Sequence, residues 1–204
     1  MIGVCGFASA DTGLRVEHHL DVELFPDEKK LSGVNRLIIH PDGSDMLTFR
    51  LSEKADQVAV KVNGEDRKFK RQQAWLQVPL RSVERQASIR VTIRYSAIFN
   101  DPVPIRPLNT DNPGFGVSAT ISDKGSFLLA GSYWYPELID GQATYSLNVR
   151  APAGMIAVTA GQSMGHQTGD GKTVSRWKVD YPVEGLSISA APFVVREKKV
   201  GAVT

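Results

Sequence analysis

Apolar and polar side chains alternate with a period of two along most of this chain, which leaves little room for helices. The longest instance is "ASIRVTIRYSAIF" (87–99), where Ile89, Val91, Ile93 and Tyr95 share one face. Successive side chains of a strand point to opposite faces, so such a run builds a strand with one buried side. "LRVEHHLDVELF" (14–25) sets Val16, His18, Leu20, Val22 and Leu24 against Glu17, His19, Asp21 and Glu23. After Pro26-Asp27 comes "KLSGVNRLIIH" (30–40), and "DMLTFRLS", "QVAVKV", "RKFKRQ" and "AWLQVPL" continue the series. Asn63-Gly64 joins two of these runs; both positions tolerate positive φ, which suits a tight hairpin.

A second series follows "NDPVPIRPLNTDNPGFG" (100–116), whose four prolines remove ladder donors and mark a loop or sheet-edge excursion. It comprises "GSFLLAGSYW", "ATYSLNVRAP", "MIAVTAG", "KTVSRWKVDYP" and "LSISAAPFVV". No repeat of fixed period and no low-complexity segment interrupts it. At least ten short strands separated by turn signals predict an all-β fold, a β-sandwich of two mostly antiparallel sheets.

Composition narrows the function. A chain of 204 residues with 42% hydrophobic and 23% charged residues can bury a sizeable core. A net charge of +2 provides no electrostatic footprint for nucleic acid or an anionic membrane. The basic run 67–72 is balanced by Glu65 and Asp66. One cysteine, Cys5, excludes an intrachain disulfide and a cysteine-based zinc site. No stretch reaches the roughly 18 apolar residues of a membrane span. "MIGVCGFASA" ends in Ala-Ser-Ala like the cleavage region of a secretory leader, so 1–13 reads as a flexible N-terminal segment, a candidate signal-peptide remnant. Residues 14–204 then form a single domain. An extracytoplasmic or membrane-associated setting is favoured.

Three motifs invite a chemical reading. Glu17, His18 and His19 resemble metal ligands, but on a strand the two histidines face opposite ways and cannot chelate one ion. His18 is expected inward with Leu20 and Val22, and His19 outward. His40 and His166 offer no ligand spacing, and no histidine is followed by glutamate. "GQSMG" (161–165), with His166 next, matches Gly-x-Ser-x-Gly, yet that motif needs a helix after the serine. "HQTGDGKTV" is too poor in helix formers, so a hairpin loop is expected instead. The cluster Tyr133, Trp134, Tyr135, Pro136 and Glu137 could stack on a sugar or seed an interface. Alternation would put Tyr133 and Tyr135 on one face and Trp134 on the other. At least part of the cluster is expected in the core. Glu137 and Asp140 have no paired carboxylate, so glycosidase chemistry lacks support.

Taken in order, three stretches resemble the N-terminal β-domain of M1-family zinc aminopeptidases. "HHLDVELFPDEKKLSGVNRLIIH" is similar to that domain's opening hairpin, with Gly33 at the family's glycine. "FLLAGSYWYPELIDGQATYSLNVRAPAGMIAVTAG" (127–161) resembles its aromatic-proline motif, strand, Pro-x-Gly turn and strand. "SRWKVDYPVEGLSISAAPFVV" (175–195) is similar to the closing strand pair. The resemblance runs over roughly residues 14 to 200.

In that family zinc and the catalytic glutamate belong to the next domain, which would begin where this chain ends. The resemblance therefore implies no catalytic, cofactor or metal residues here, and zinc only in the missing catalytic domain. It implies that domain as partner, with peptide substrate contacted only indirectly. Two departures stand out: "ISDKGSFLLAG" has no glutamine to meet a substrate's free amine, and "WYPEL" replaces Phe-Pro-Cys-x-Asp. Residues 133–137 and the loop 102–113 are the candidate interdomain surface. The competing expectation is a freestanding carbohydrate- or protein-binding module. That module needs at least two of the rings of Tyr133, Trp134 and Tyr135 exposed and coplanar.

Overall fold

The alternation read along the chain is the pleat of one large sheet. The computed structural model describes residues 14–85, 88–103, 116–139 and 141–196. Eight strands form the large sheet: β1 (Leu14–Phe25), β2 (Lys30–Ile39), β4 (Ala55–Val62), β5 (Glu65–Asp66), β8 (Ile89–Ile98), β12 (Gly141–Pro152), β14 (Gln162–Gly169) and β15 (Lys172–Val183). Their spatial order is β14-β15-β12-β1-β2-β8-β4-β5. A four-stranded sheet runs β13 (Ile156–Val158), β16 (Ile188–Ala191), β10 (Gly125–Leu128), β9 (Ala119–Ser122). Another runs β11 (Glu137–Leu138), β3 (Met46–Arg50), β7 (Trp75–Pro79), β6 (Lys70–Gln72).

The fold is therefore all-β, as expected, but with three sheets where the sequence suggested two. The small sheets consist of strands of two to five residues. Runs that short carry too few alternations to reveal which sheet they join. Pairing is antiparallel throughout these sheets except where β1 runs parallel to β12, from Leu14↔Gly141 to Glu23↔Arg150. Among the described residues no helix is long and apolar enough to cross a membrane.

One face of the large sheet is dry. Val16, Leu20, Val22 and Leu24 of β1, Leu31, Leu37 and Ile39 of β2, and Ile89, Val91 and Ile93 of β8 are buried there. Leu47, Phe49, Leu76 and Val78 from one small sheet and Ile121, Leu128, Ile188 and Ala190 from the other belong to the same core. Burial of apolar area at roughly 25 cal/mol per Å² makes this layer the main stabilising term. Asn63-Gly64 forms the expected tight hairpin, with φ of 52° and 89°, and Lys61 pairs with Asp66.

Gly33 faces Tyr95 across β2 and β8. A Cβ at Gly33 would lie 2.4 to 2.7 Å from that ring, so the glycine makes room for the tyrosine to lie flat over the sheet. The "QSMGHQTG" segment is not a loop: it is β14, an edge strand paired with β15 around an Asp170-Gly171 turn. It escaped the alternation reading because its register shifts between Ser163 and His166, around Gly165 at φ 98°, and most of its residues are exposed.

Candidate functional site

The two histidines of β1 part as the pleat requires. His18 is buried at 1% exposure while His19 is exposed. Asn35 Nδ2 donates to His18 Nδ1 at 2.9 Å and to the Pro136 carbonyl at 3.0 Å. The His18 ring stacks on Tyr145, its parallel-strand neighbour, with centroids 4.8 Å apart. Burial holds the His18 pKa down to about 3, against the opposing pull of the Asn35 hydrogen bond. His18 is thus a neutral structural acceptor. Among the described residues no group of three His, Cys, Asp or Glu side chains could hold a metal ion.

Ser163 fails as a nucleophile on geometry. It sits in an edge strand with no helix after it, and its Oγ accepts a hydrogen bond from Gly165 N at 3.3 Å. His166 instead packs edge-on against Trp177 with centroids 6.1 Å apart. Gly161 serves the backbone: at φ 98°, a Cβ there would lie 2.4 Å from the Lys178 carbonyl oxygen.

The aromatic cluster does not follow strand alternation. Residues Ala130–Ser132 form a 3-10 turn capped by Tyr133 at φ 51°. This left-handed conformation is costly for a bulky side chain and redirects the chain so that two consecutive rings point inward. Trp134 and Tyr135 are both fully buried, Pro136 is buried, and only Tyr133 and Glu137 reach the surface. Trp134 Nε1 donates to the Leu186 carbonyl at 2.7 Å. Tyr135 Oη donates to Tyr145 Oη at 3.1 Å and accepts from Leu186 N at 3.2 Å. Burial pushes the phenol pKa of Tyr145 up to about 12, and that of Tyr135 well above its ordinary value. Two rings of the three lie inside the core, so no exposed platform forms from this cluster.

Tyr133 and Glu137 instead line an open recess of about 760 Å³ that also takes in Arg50, Trp75 and Glu184. Sheet register builds it: Arg50 lies between Trp75 of β7 and Glu137 of β11 as a direct cross-strand neighbour of each. The Arg50 guanidinium is sandwiched between the rings of Trp75 and Tyr133, 4.4 and 4.5 Å from their centroids. The Tyr133 carbonyl accepts a 2.8 Å hydrogen bond from Ser52 N, which pins its strained backbone. Glu137 leans on Gly185, where a Cβ would lie 3.2 Å from Oε1. Partial burial raises the Glu137 pKa, and the charge of Glu184 adds to the effect.

Of the residues read from the sequence, the recess unites Tyr133 and Glu137 only. Sequence reading missed Arg50, Trp75 and Glu184, since cross-strand register between distant segments has no local signature. The periodicity of "DMLTFRLS" does put Arg50 on its polar face. From the loop 102–113, Pro102 and Val103 are exposed and residues 104–115 lie outside the described residues, as do residues 1–13 and Asp140.

No family model matches this chain, and no curated protein resembles it in sequence. Solved structures do. An M1 zinc metallopeptidase mutant of Deinococcus radiodurans, bound to a Tyr-Ser-Ala substrate, superimposes over 88% of the chain with a TM-score of 0.64 and 20% identity. The fold is that of an M1 peptidase N-terminal domain. Legionella pneumophila aminopeptidase A, in complex with aspartic acid, matches over 88% with a TM-score of 0.63 and 14% identity. Leukotriene A4 hydrolase of Saccharomyces cerevisiae matches over 87% with a TM-score of 0.58 and 14% identity. The chain spans 43%, 21% and 29% of the lengths of these three M1-fold proteins.

Proposed function

We propose that residues 14–204 are one domain, the non-catalytic N-terminal part of an M1-like zinc metallo-aminopeptidase. It packs on the zinc-bearing domain and forms one wall of the substrate cleft. The observation that carries this reading is the fold match over most of this chain and less than half of each relative. The zinc and its ligands belong to the partner domain, and no step of the hydrolysis is assigned to residues described here. A wall contributes by shape: it limits which peptides enter and excludes bulk water from the chemistry. Tyr133 and Glu137 are the members of the 133–137 segment with surface to give to that contact, while Trp134, Tyr135 and Pro136 hold them in place from below.

The direct test is to read the parent gene beyond the codon for Thr204 and assay its product. Continuation into a His-Glu-x-x-His segment with a later glutamate, together with chelator-sensitive release of N-terminal residues from peptides, is the expected result. A stop codon directly after Thr204 would sink the proposal, and continuation without those ligands would make the parent an inactive relative.

A further inference from the structure

The recess holds charge of both signs that the fold leaves unused. Arg50 is fixed by two aromatic faces, and among the described residues it has no ion pair and donates no hydrogen bond. Its Nε is shut off from solvent with no partner. Glu137 is its cross-strand neighbour, yet the two do not pair. Glu137 and Glu184 also lack a cation among the described residues. Elsewhere on this chain acids and bases find each other: Arg36 with Asp21, Arg81 with Glu65, Arg67 with Glu84. A guanidinium held flat between Trp75 and Tyr133 is preorganised, so little side-chain entropy remains to lose when its donors engage. Tyr133 carries a left-handed backbone to place its ring there, and strain of this kind gathers at contact sites.

We infer that this recess is a docking socket for a segment of the zinc-bearing domain, which inserts a lysine or arginine between Glu137 and Glu184 and offers backbone or side-chain oxygens to Arg50. The inference rests on the function proposed above and specifies the chemistry of its interface. Charge complementarity chooses the occupant: two carboxylates lining one recess with no cation of their own call for a cation, and the free fork of Arg50 calls for acceptors. Trp75, Pro182 and Val183 add apolar surface to the lining.

Oxidative footprinting of the full-length parent tests this, with Trp75 and Tyr133 as reporters and the exposed ring of Phe193, which does not line the recess, as internal reference. In the unmodified parent both reporter rings should be protected. Glu137→Gln with Glu184→Gln should raise their oxidation several-fold, and high salt should do the same to the unmodified protein while adding little to the double variant. Arg50→Lys, which keeps the charge and loses the fork, should give a smaller rise. Rings that are freely oxidised in a parent that does carry the His-Glu-x-x-His segment would overturn the docking and leave the proposed function standing. Protection that the double variant does not alter would overturn the role of the carboxylates. A parent without that segment removes the proposed function and this occupant together.

Discussion

The β1-β2-β8 region and the segment 129–139 both bury most of their large apolar side chains and solve their packing in opposite ways. In the first, every second residue goes inward, and one rule explains a dozen buried side chains. In the second, a 3-10 turn, a left-handed tyrosine and two successive buried rings break that rule within eight residues. Regular strands make the platform, and the irregular segment fastens a small sheet onto it and forms one wall of the recess.

If the irregular segment merely rides on the platform, Trp134→Ala should cost less than Leu20→Ala. The structure requires the opposite order. Both side chains are buried at 1% exposure or less, but Trp134 also satisfies the Leu186 carbonyl. We expect losses of about 4 kcal/mol for Trp134→Ala and about 3 for Leu20→Ala, read from urea unfolding midpoints at constant slope.

Inside the platform, Gly33→Ala drives a methyl into the Tyr95 ring and should cost about 2 kcal/mol, by the ordinary penalty of overpacking. Combining it with Tyr95→Leu should recover part of that loss. Failure to recover any would mean that the glycine answers to something other than the ring.

The join between the two regions is pH-sensitive. His18 is held neutral by burial, so the unfolded chain, with its ordinary histidine pKa of 6.5, takes up the proton first. Stability is therefore complete above about pH 7.5 and falls progressively as the pH drops through 6.5 towards 3. The loss between pH 8 and pH 5 should be about 2 kcal/mol, and His18→Met should flatten that slope in urea titrations. A slope unchanged in the variant would mean that another group titrates.

The smallest effect belongs to the surface. Arg50→Met removes a cation from between two rings at the mouth of an open recess and should cost about 1 kcal/mol or less in this chain. A larger loss would make Arg50 a structural post instead of a free contact.

The platform was legible because alternation is local: it assigned His18 inward and His19 outward correctly, and Asn63-Gly64 named its own turn. What was not legible depends on partners far away in sequence. The inward turn of Trp134 needs Leu186 and the strain at Tyr133 needs Ser52, neither of which a short window contains. The "GQSMG" strand was hidden for another reason: a bulge and a solvated edge erase the alternation that marks a strand. The recess shares the first difficulty, since its row Glu137-Arg50-Trp75 exists only in the register of three short strands.

The parallel pairing of β1 with β12 also sets an order in time. A ribosome delivers β1, β2, β4, β5 and β8 before residues 141–152 emerge, so this five-stranded part of the sheet waits with the N-terminal strand's hydrogen-bonding groups open along one side. Such non-local closure is slow, and an unpaired amphipathic edge is a template for any other extended chain nearby. We predict that the first strand is exposed to such pairing until β12 closes on it.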